Sequence, residues 1–272
     1  MRLFGIGHLL FALGLTGLGI LSLFSGDFAF VWQPVPDWVP WREGLAHISG
    51  ALLLAGGVGM LIPRFASRSA LAMTIYLFIW VILLQFPRIA QAPGNVGMWL
   101  GLSENTISMC GGWILFCSLA GSRAKTSMKF FASDGAIRLA RLLIGAACLG
   151  LGLSHFVFAS GTAGMVPAWL PYRIGFAYLT GAGHFAAGLG LLFSVFPRLA
   201  ATMEAAMITL FVLLVHIPAA VADPKSRLNW TMVFVATLFA GSMWNAARSH
   251  QSAPWGWTRK SPQAATLQSM SN

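Results

Sequence analysis

Charge is what this chain has least of. Asp, Glu, Lys and Arg make up 9% of its residues, against roughly 25% in a soluble domain, so a fully solvated surface cannot be built from them. Acids are the scarcest, seven against seventeen Lys and Arg, for a net charge of +10. In a soluble chain that excess would point to nucleic acid. Here 57% of residues are hydrophobic and mean hydropathy is +0.74, and cytoplasmic loops of membrane proteins collect Lys and Arg. The expected partner is the lipid bilayer, with no nucleic acid. Cysteine is scarce as well. Cys110, Cys117 and Cys148 form no CxxC or CxxH pair, which removes the zinc and thioredoxin readings. Cys110 and Cys117 lie ~10.5 Å apart along one expected helix and cannot bridge. No HxxxH or HxxE spacing signals a metal, and "GLGLS" at 150–154 lacks the strand–turn–helix context of a dinucleotide fingerprint. No nucleophile–base arrangement or phosphate loop is readable. The apolar run after Arg2 is longer than a signal-peptide core and no A-x-A site follows it, so it reads as a first membrane helix.

Long apolar runs are what the chain has. A membrane helix needs about 20 such residues. Eight candidates lie at 3–24, 44–62, 70–91, 105–121, 140–158, 175–196, 200–221 and 229–247. With the N-terminus inside, twelve of the seventeen basic residues fall on the cytoplasmic side, which orients both termini to the cytoplasm. The expected fold is all-α, a polytopic protein of eight transmembrane helices. Its expected divisions are 1–121, a basic cytoplasmic linker at 122–139, 140–248, and a disordered cytoplasmic tail at 249–272. The linker lies within the basic segment 122–141, suited to anionic headgroups.

Two heptapeptides, "VPDWVPW" at 35–41 and "VPAWLPY" at 166–172, share a Pro-x-Trp-x-Pro frame 131 positions apart. The same shift places Arg42 on Arg173, Gly57 on Gly188, Pro87 on Pro218, Pro93 on Pro224, Trp99 on Trp230 and Trp113 on Trp244. Apolar composition alone does not align glycine, proline and tryptophan together. The pattern reads as a duplicated four-helix unit, and an even number of spans makes the two repeats parallel. Small residues three, four and seven apart in spans two and six allow close helix approach. Pro87 and Pro218 predict a kink or helix end.

Ionisable groups inside a membrane are functional candidates. On this topology His155, His184 and His216 fall in the outer half of the second repeat, with Arg173, Trp169 and Tyr178 nearby. These form the candidate ligand site. His47, Gln85, Arg88 and Glu204 are secondary candidates. His216 aligns with Gln85 and His47 with Tyr178, whereas His184 aligns with Leu53. The competing reading makes each histidine a hydrogen-bonded packing residue. Glu204, placed near the inner boundary, is equally explained by the helix dipole. Asp223 reads as a turn residue. Each Pro-rich loop is expected to form an interfacial lid, the second over the histidines, with Trp38, Trp41, Trp169 and Tyr172 at the headgroup belt.

The stretch "MVPAWLPYRIGFAYLTGAGHFAAGLGLLF" (165–193) resembles the DoxX family of bacterial membrane proteins, four-helix units with a Pro-rich first loop. The resemblance covers about 145–245 and, through the repeat, extends to about 15–120. It implies location in the bacterial cytoplasmic (inner) membrane and a link to membrane redox chemistry, with quinone as cofactor and a redox partner chain. The family's second helix commonly carries Glu where this chain has His184, and the duplication departs from the single-unit form. Three readings follow: a quinone-associated redox component with an outer-leaflet polar site; a non-enzymatic assembly partner or small-solute or lipid carrier; and a haem- or metal-binding membrane protein. Whether the protein is an enzyme stays open at this point.

Overall fold

Apolar segments of this length fold as helices because lipid offers no partner for an unpaired backbone group. The computed structural model describes residues 5–120 and 129–256. Its helices are α1 (Ile6–Ser25), α2 (Arg42–Leu61), α3 (Ala66–Gln91), α4 (Val96–Ala120), α5 (Asp134–Val157), a short α6 (Ala159–Met165), α7 (Arg173–Leu192), α8 (Pro197–Ala222) and α9 (Arg227–Ser249). Among the described residues there is no strand. Helices α1, α2, α3, α5 and α8 are long and apolar enough to cross a membrane. The protein is an all-α, multi-span membrane protein.

Helices α4, α7 and α9 are of similar length but more polar. In α4 and α9 the polar groups are absorbed internally: Ser108 donates to Glu104 O, Thr231 to Arg227 O and Ser242 to Leu238 O. That bonding lets serine and threonine sit inside a bundle without an unsatisfied hydroxyl. It also hid the start of α4, which lies at Val96 rather than 105, because "GLSEN" interrupts the apolar run. At the other end, Ser133 caps α5 by accepting from the Ala136 amide. Residues 134–139 of the expected linker therefore belong to the helix, and 121–128 lie outside the described residues. Of the tail, residues up to 256 are described, and Arg198 lies 4.1 Å over the Trp255 ring.

Pro87 and Pro218 end neither helix. In each case a five-residue π-helical turn precedes the proline, Val81–Gln85 in α3 and Val212–His216 in α8, and the helix resumes beyond it. The wider turn accommodates the missing donor and the ring clash that proline brings to a regular helix.

Neighbour packing runs in a ring. Helix α1 packs on α2, α2 on α3, α3 on α4, α4 on α5, α5 on α7, α7 on α8, α8 on α9, and α9 back on α1. Helices α4 and α9 also touch across the middle, where a Cβ on Gly111 would overlap the Cβ of Ser242, the residue 131 positions later. Other close approaches recur. Gly57 faces Ala12 and Thr16 as Gly188 faces Gly145 and Leu149; Gly50 faces Gly19 and Ser22 as Gly181 faces Gly152 and His155. The shift is 131 for α2 against α7 and 133 for α1 against α5.

The two Pro-rich connections differ. Residues 28–33 fold into the bundle, burying Phe28, Ala29, Trp32 and Gln33. Asp27 anchors them. It accepts from Arg42 at the start of α2 and, at 2.8 Å, from Arg227 at the start of α9. Arg227 also donates to Phe28 O. Burial pushes the Asp27 carboxyl up, but the hydrogen bonds from Arg227, Arg42 and the Phe28 amide outweigh it and hold the pKa below the ordinary carboxylate value. The connection after α5 carries α6 and then stays at the surface, with Trp169 70% and Tyr172 86% exposed. Trp41 and Tyr172 both enter the following helix in the left-handed conformation.

Candidate functional site

Helices α7 and α8 form an antiparallel hairpin turning at residues 193–196. His184 lies ten residues before Ser194 and Glu204 ten after it, so the hairpin sets them opposite each other. His184 Nδ1 and Glu204 Oε1 are 2.6 Å apart, and the two residues are 2% and 1% exposed. A contact this short between two buried polar groups is a direct hydrogen bond. The second carboxylate oxygen, Glu204 Oε2, is buried and has no hydrogen-bond partner among the described residues. Both groups therefore share one depth. His184 is the twelfth residue of α7, ~16 Å from its start, so this pair sits near mid-helix rather than being divided between an outer histidine and an inner carboxylate.

His155 completes the cluster. Its ring meets His184 edge-on at a centroid distance of 4.8 Å, and Phe211 packs 6.2 Å from each imidazole. The small residues Gly152 and Gly181 bring α5 and α7 close enough for this contact. His155 Nδ1 lies 2.9 Å from Thr180 Oγ1. Thr180 gives its own proton to the backbone, 2.8 Å from Phe176 O, so at this contact the imidazole is the donor, through Nδ1.

Beside the cluster runs a groove of about 760 Å³ between α7 and α8. Leu179, Phe193, Met203 and Leu210 form its exposed apolar walls, the side such helices turn to lipid. Thr180 and Glu204 are the polar side chains that line it.

The remaining candidates lie apart. His216 sits half-buried in the π turn of α8, ~18 Å along the helix from Glu204. Arg173 is exposed at the start of α7, with no ion pair among the described residues. Tyr178 is half-exposed and stacks on Phe156 at 5.9 Å. His47 is exposed, its Nδ1 2.9 Å from Glu43 O. Gln85 is buried and accepts from Arg88 at 3.4 Å. Among the described residues no group of three or more His, Cys, Asp or Glu is arranged to hold a metal ion. Sequence reasoning did not single out Thr180 or Phe211; the position of Thr180, one turn before His184, was the available signal.

The matching positions in the first half hold Leu53 for His184, Met73 for Glu204 and Ser22 for His155, all buried. The first half has a different polar knot. Gln33 donates to Ser49 Oγ at 3.2 Å and Tyr76 OH at 3.0 Å. Ser49 and Tyr76 are the counterparts of Thr180 and Met207, which line the groove.

A domain of unknown function (DUF8561) matches residues 144–240, a stretch that runs from α5 into α9 and includes His155, His184 and Glu204. No curated protein and no solved structure matches the chain.

Proposed function

We propose that this membrane protein binds a lipid-soluble quinone in the α7–α8 groove, with the His184–Glu204 pair at its polar end, and serves a redox partner chain. The observation that carries the reading is that Glu204, whose buried Oε2 has no hydrogen-bond partner among the described residues, lines a mostly apolar groove. A buried carboxylate oxygen without a partner is costly, and a ligand group from the groove would remove that cost once the walls that enclose the Glu204 side chain part to admit it. The apolar walls suit an isoprenoid tail, and His184 and Glu204 suit a ring oxygen that gains or loses a proton. Such a ligand supplies two-electron, two-proton redox chemistry when bound. The chain's own residues hold it, exclude water and keep a proton at the Nδ1–Oε1 contact. His155 and Phe211 fix the His184 ring from the side.

The same reading takes the chain as eight spans in two parallel four-helix units of DoxX type, both termini cytoplasmic, in a bacterial inner membrane. The recurring glycine contacts, paired π turns and 131-residue register support the duplication. In the resembled family the carboxylate stands on the second helix of the unit; here it would come from the third, bonded to His184.

The test is equilibrium binding of decyl-ubiquinone to the full chain in lipid nanodiscs. Wild type is expected to bind saturably, and Glu204→Gln and His184→Ala to bind at least tenfold more weakly. Failure of wild type to bind, or equal binding by both variants, sinks the reading. Occupancy by ordinary phospholipid alone would favour the lipid-carrier alternative.

A further inference from the structure

Polarity changes along the α7–α8 groove. Its polar side chains, Thr180 and Glu204, lie in the part away from the hairpin turn. From Glu204 the groove continues for about two turns of α8, ~11 Å, to residues 193–196, and no wall side chain in that stretch is polar. Phe193, Val195, Leu199 and Met203, which line it, are all exposed.

The matching hairpin of the first half, α2–α3, differs at both levels. At the level of the polar pair, Gly183 and Ala206 stand where the first half has Leu52 and Ile75, so the second half lacks two branched side chains there. Even a Cβ on Gly183 would lie 3.1 Å from Met207 Sδ. At the turn, Val195, Leu199 and Ala200 stand where the first half has Arg64, Arg68 and Ser69. The arginine of the second turn, Arg198, is not a groove wall and lies over the Trp255 ring. The second half thus combines an opened slot beside the polar pair with an uncharged mouth at the turn.

One kind of occupant matches that order of polarity. A phospholipid would bring its phosphate to the mouth, where no wall side chain is basic, and its methyl end to Glu204. A long-chain quinone placed ring-first does the reverse.

We infer that the ligand enters ring-first at the 193–196 turn, from the leaflet that is cytoplasmic on the proposed topology, and that the groove holds its isoprenoid chain along Met203, Leu199 and Phe193. This inference rests on the quinone reading above. The chain contacts involve wall atoms that are already exposed.

The experiment uses decyl-ubiquinone carrying a diazirine at the far end of its chain, on the full chain in nanodiscs, with peptide mapping. Label suppressed by excess decyl-ubiquinone is expected on residues 193–203. Suppressible label on 179–183 or 207–210 instead, or shared equally between the two ends, overturns the inference and leaves the site reading standing. So does saturable binding without suppressible label. Failure of decyl-ubiquinone to bind removes the quinone reading and this inference together. Two variants probe the mouth. Leu199→Arg and Val195→Arg each install the first half's residue at an exposed position, and each should weaken decyl-ubiquinone about tenfold at an unchanged melting temperature, because a charge now borders the apolar slot. A lipid acyl chain in the slot predicts the opposite sign, since an arginine at the mouth would pair with the phosphate. More co-purified phosphatidylglycerol in both variants, with quinone affinity unchanged, therefore overturns the inference.

Discussion

The first and second halves of the chain use one packing scheme to opposite ends. In the first, α2 and α3 carry Leu53 and Met73 in the core, and the loop at 28–33 drives Trp32 and Gln33 into the bundle. Arg42 and Arg227 clamp that loop through Asp27. In the second, α7 and α8 carry His184 and Glu204 at the matching places, and the loop stays outside. Arg173, the counterpart of Arg42, is exposed. On the proposed reading, a position filled by Gln33 in one half is left to a ligand in the other. The difference separates packing from candidate function: glycines and prolines that recur in both halves hold the bundle, while groups present in one half are the candidates for the proposed chemistry.

The sharpest way to break this comparison is to give the second half the first half's residues. Glu204→Met alone or His184→Leu alone strands a buried polar partner and should cost about 3–5 kcal/mol. The double variant His184→Leu/Glu204→Met should unfold within about 1 kcal/mol of wild type or be more stable, and should lose ligand binding. Denaturant unfolding in detergent micelles reads the first outcome and nanodisc binding the second. A double variant as unstable as the singles would mean that the halves do not share one scheme.

The contact between α4 and α9 gives the next largest effect. Gly111→Ser puts a side chain against Ser242 and should cost roughly 1–3 kcal/mol by overpacking. Adding Ser242→Gly, which exchanges the two residues across the α4–α9 contact, should recover most of it. No recovery in the same unfolding assay would remove the symmetry argument.

Smaller effects sharpen the contrast between the loops. Arg42→Ala should destabilise by about 1 kcal/mol, a partly exposed ion pair, and Arg173→Ala by almost nothing. Asp27 adds a pH signature. Its folded pKa lies below its ordinary value of 3.8, so its contribution is fully present above that value and is lost as pH falls through the lower folded one. Hydrogen exchange at residues 26–35 should stay slow at neutral pH and accelerate only below about pH 4, with no matching change at 158–172. Acceleration beginning near pH 6 would assign the anchoring to another group.

Much of the fold was legible because apolar length and glycine–proline spacing are local signals. The start of α4 was not, since polar residues bonded within the helix look like a boundary. The spans 70–91 and 200–221 run past Pro87 and Pro218 as α3 and α8 do, but the π turns within them were not legible, because a π turn leaves no mark beyond the proline it accommodates. At the site the histidines were readable as expensive groups, but their partners were not. His184 and Glu204 had been set at opposite depths by counting from helix ends. Equal distance from the turn at Ser194 places them together, a relation between two helices that single-helix reading misses. His216 and Arg173 are also polar candidates but lie away from the cluster, His216 in the π turn of α8 and Arg173 exposed at the first residue of α7.

The most direct measurement is photoaffinity labelling with an azido-quinone of short tail, on the full chain in nanodiscs, followed by peptide mapping. Label confined to residues 179–210, and suppressed by excess unmodified quinone, is the result expected here. Label spread equally over 48–79, or concentrated there, would contradict a plugged first half and an open second one.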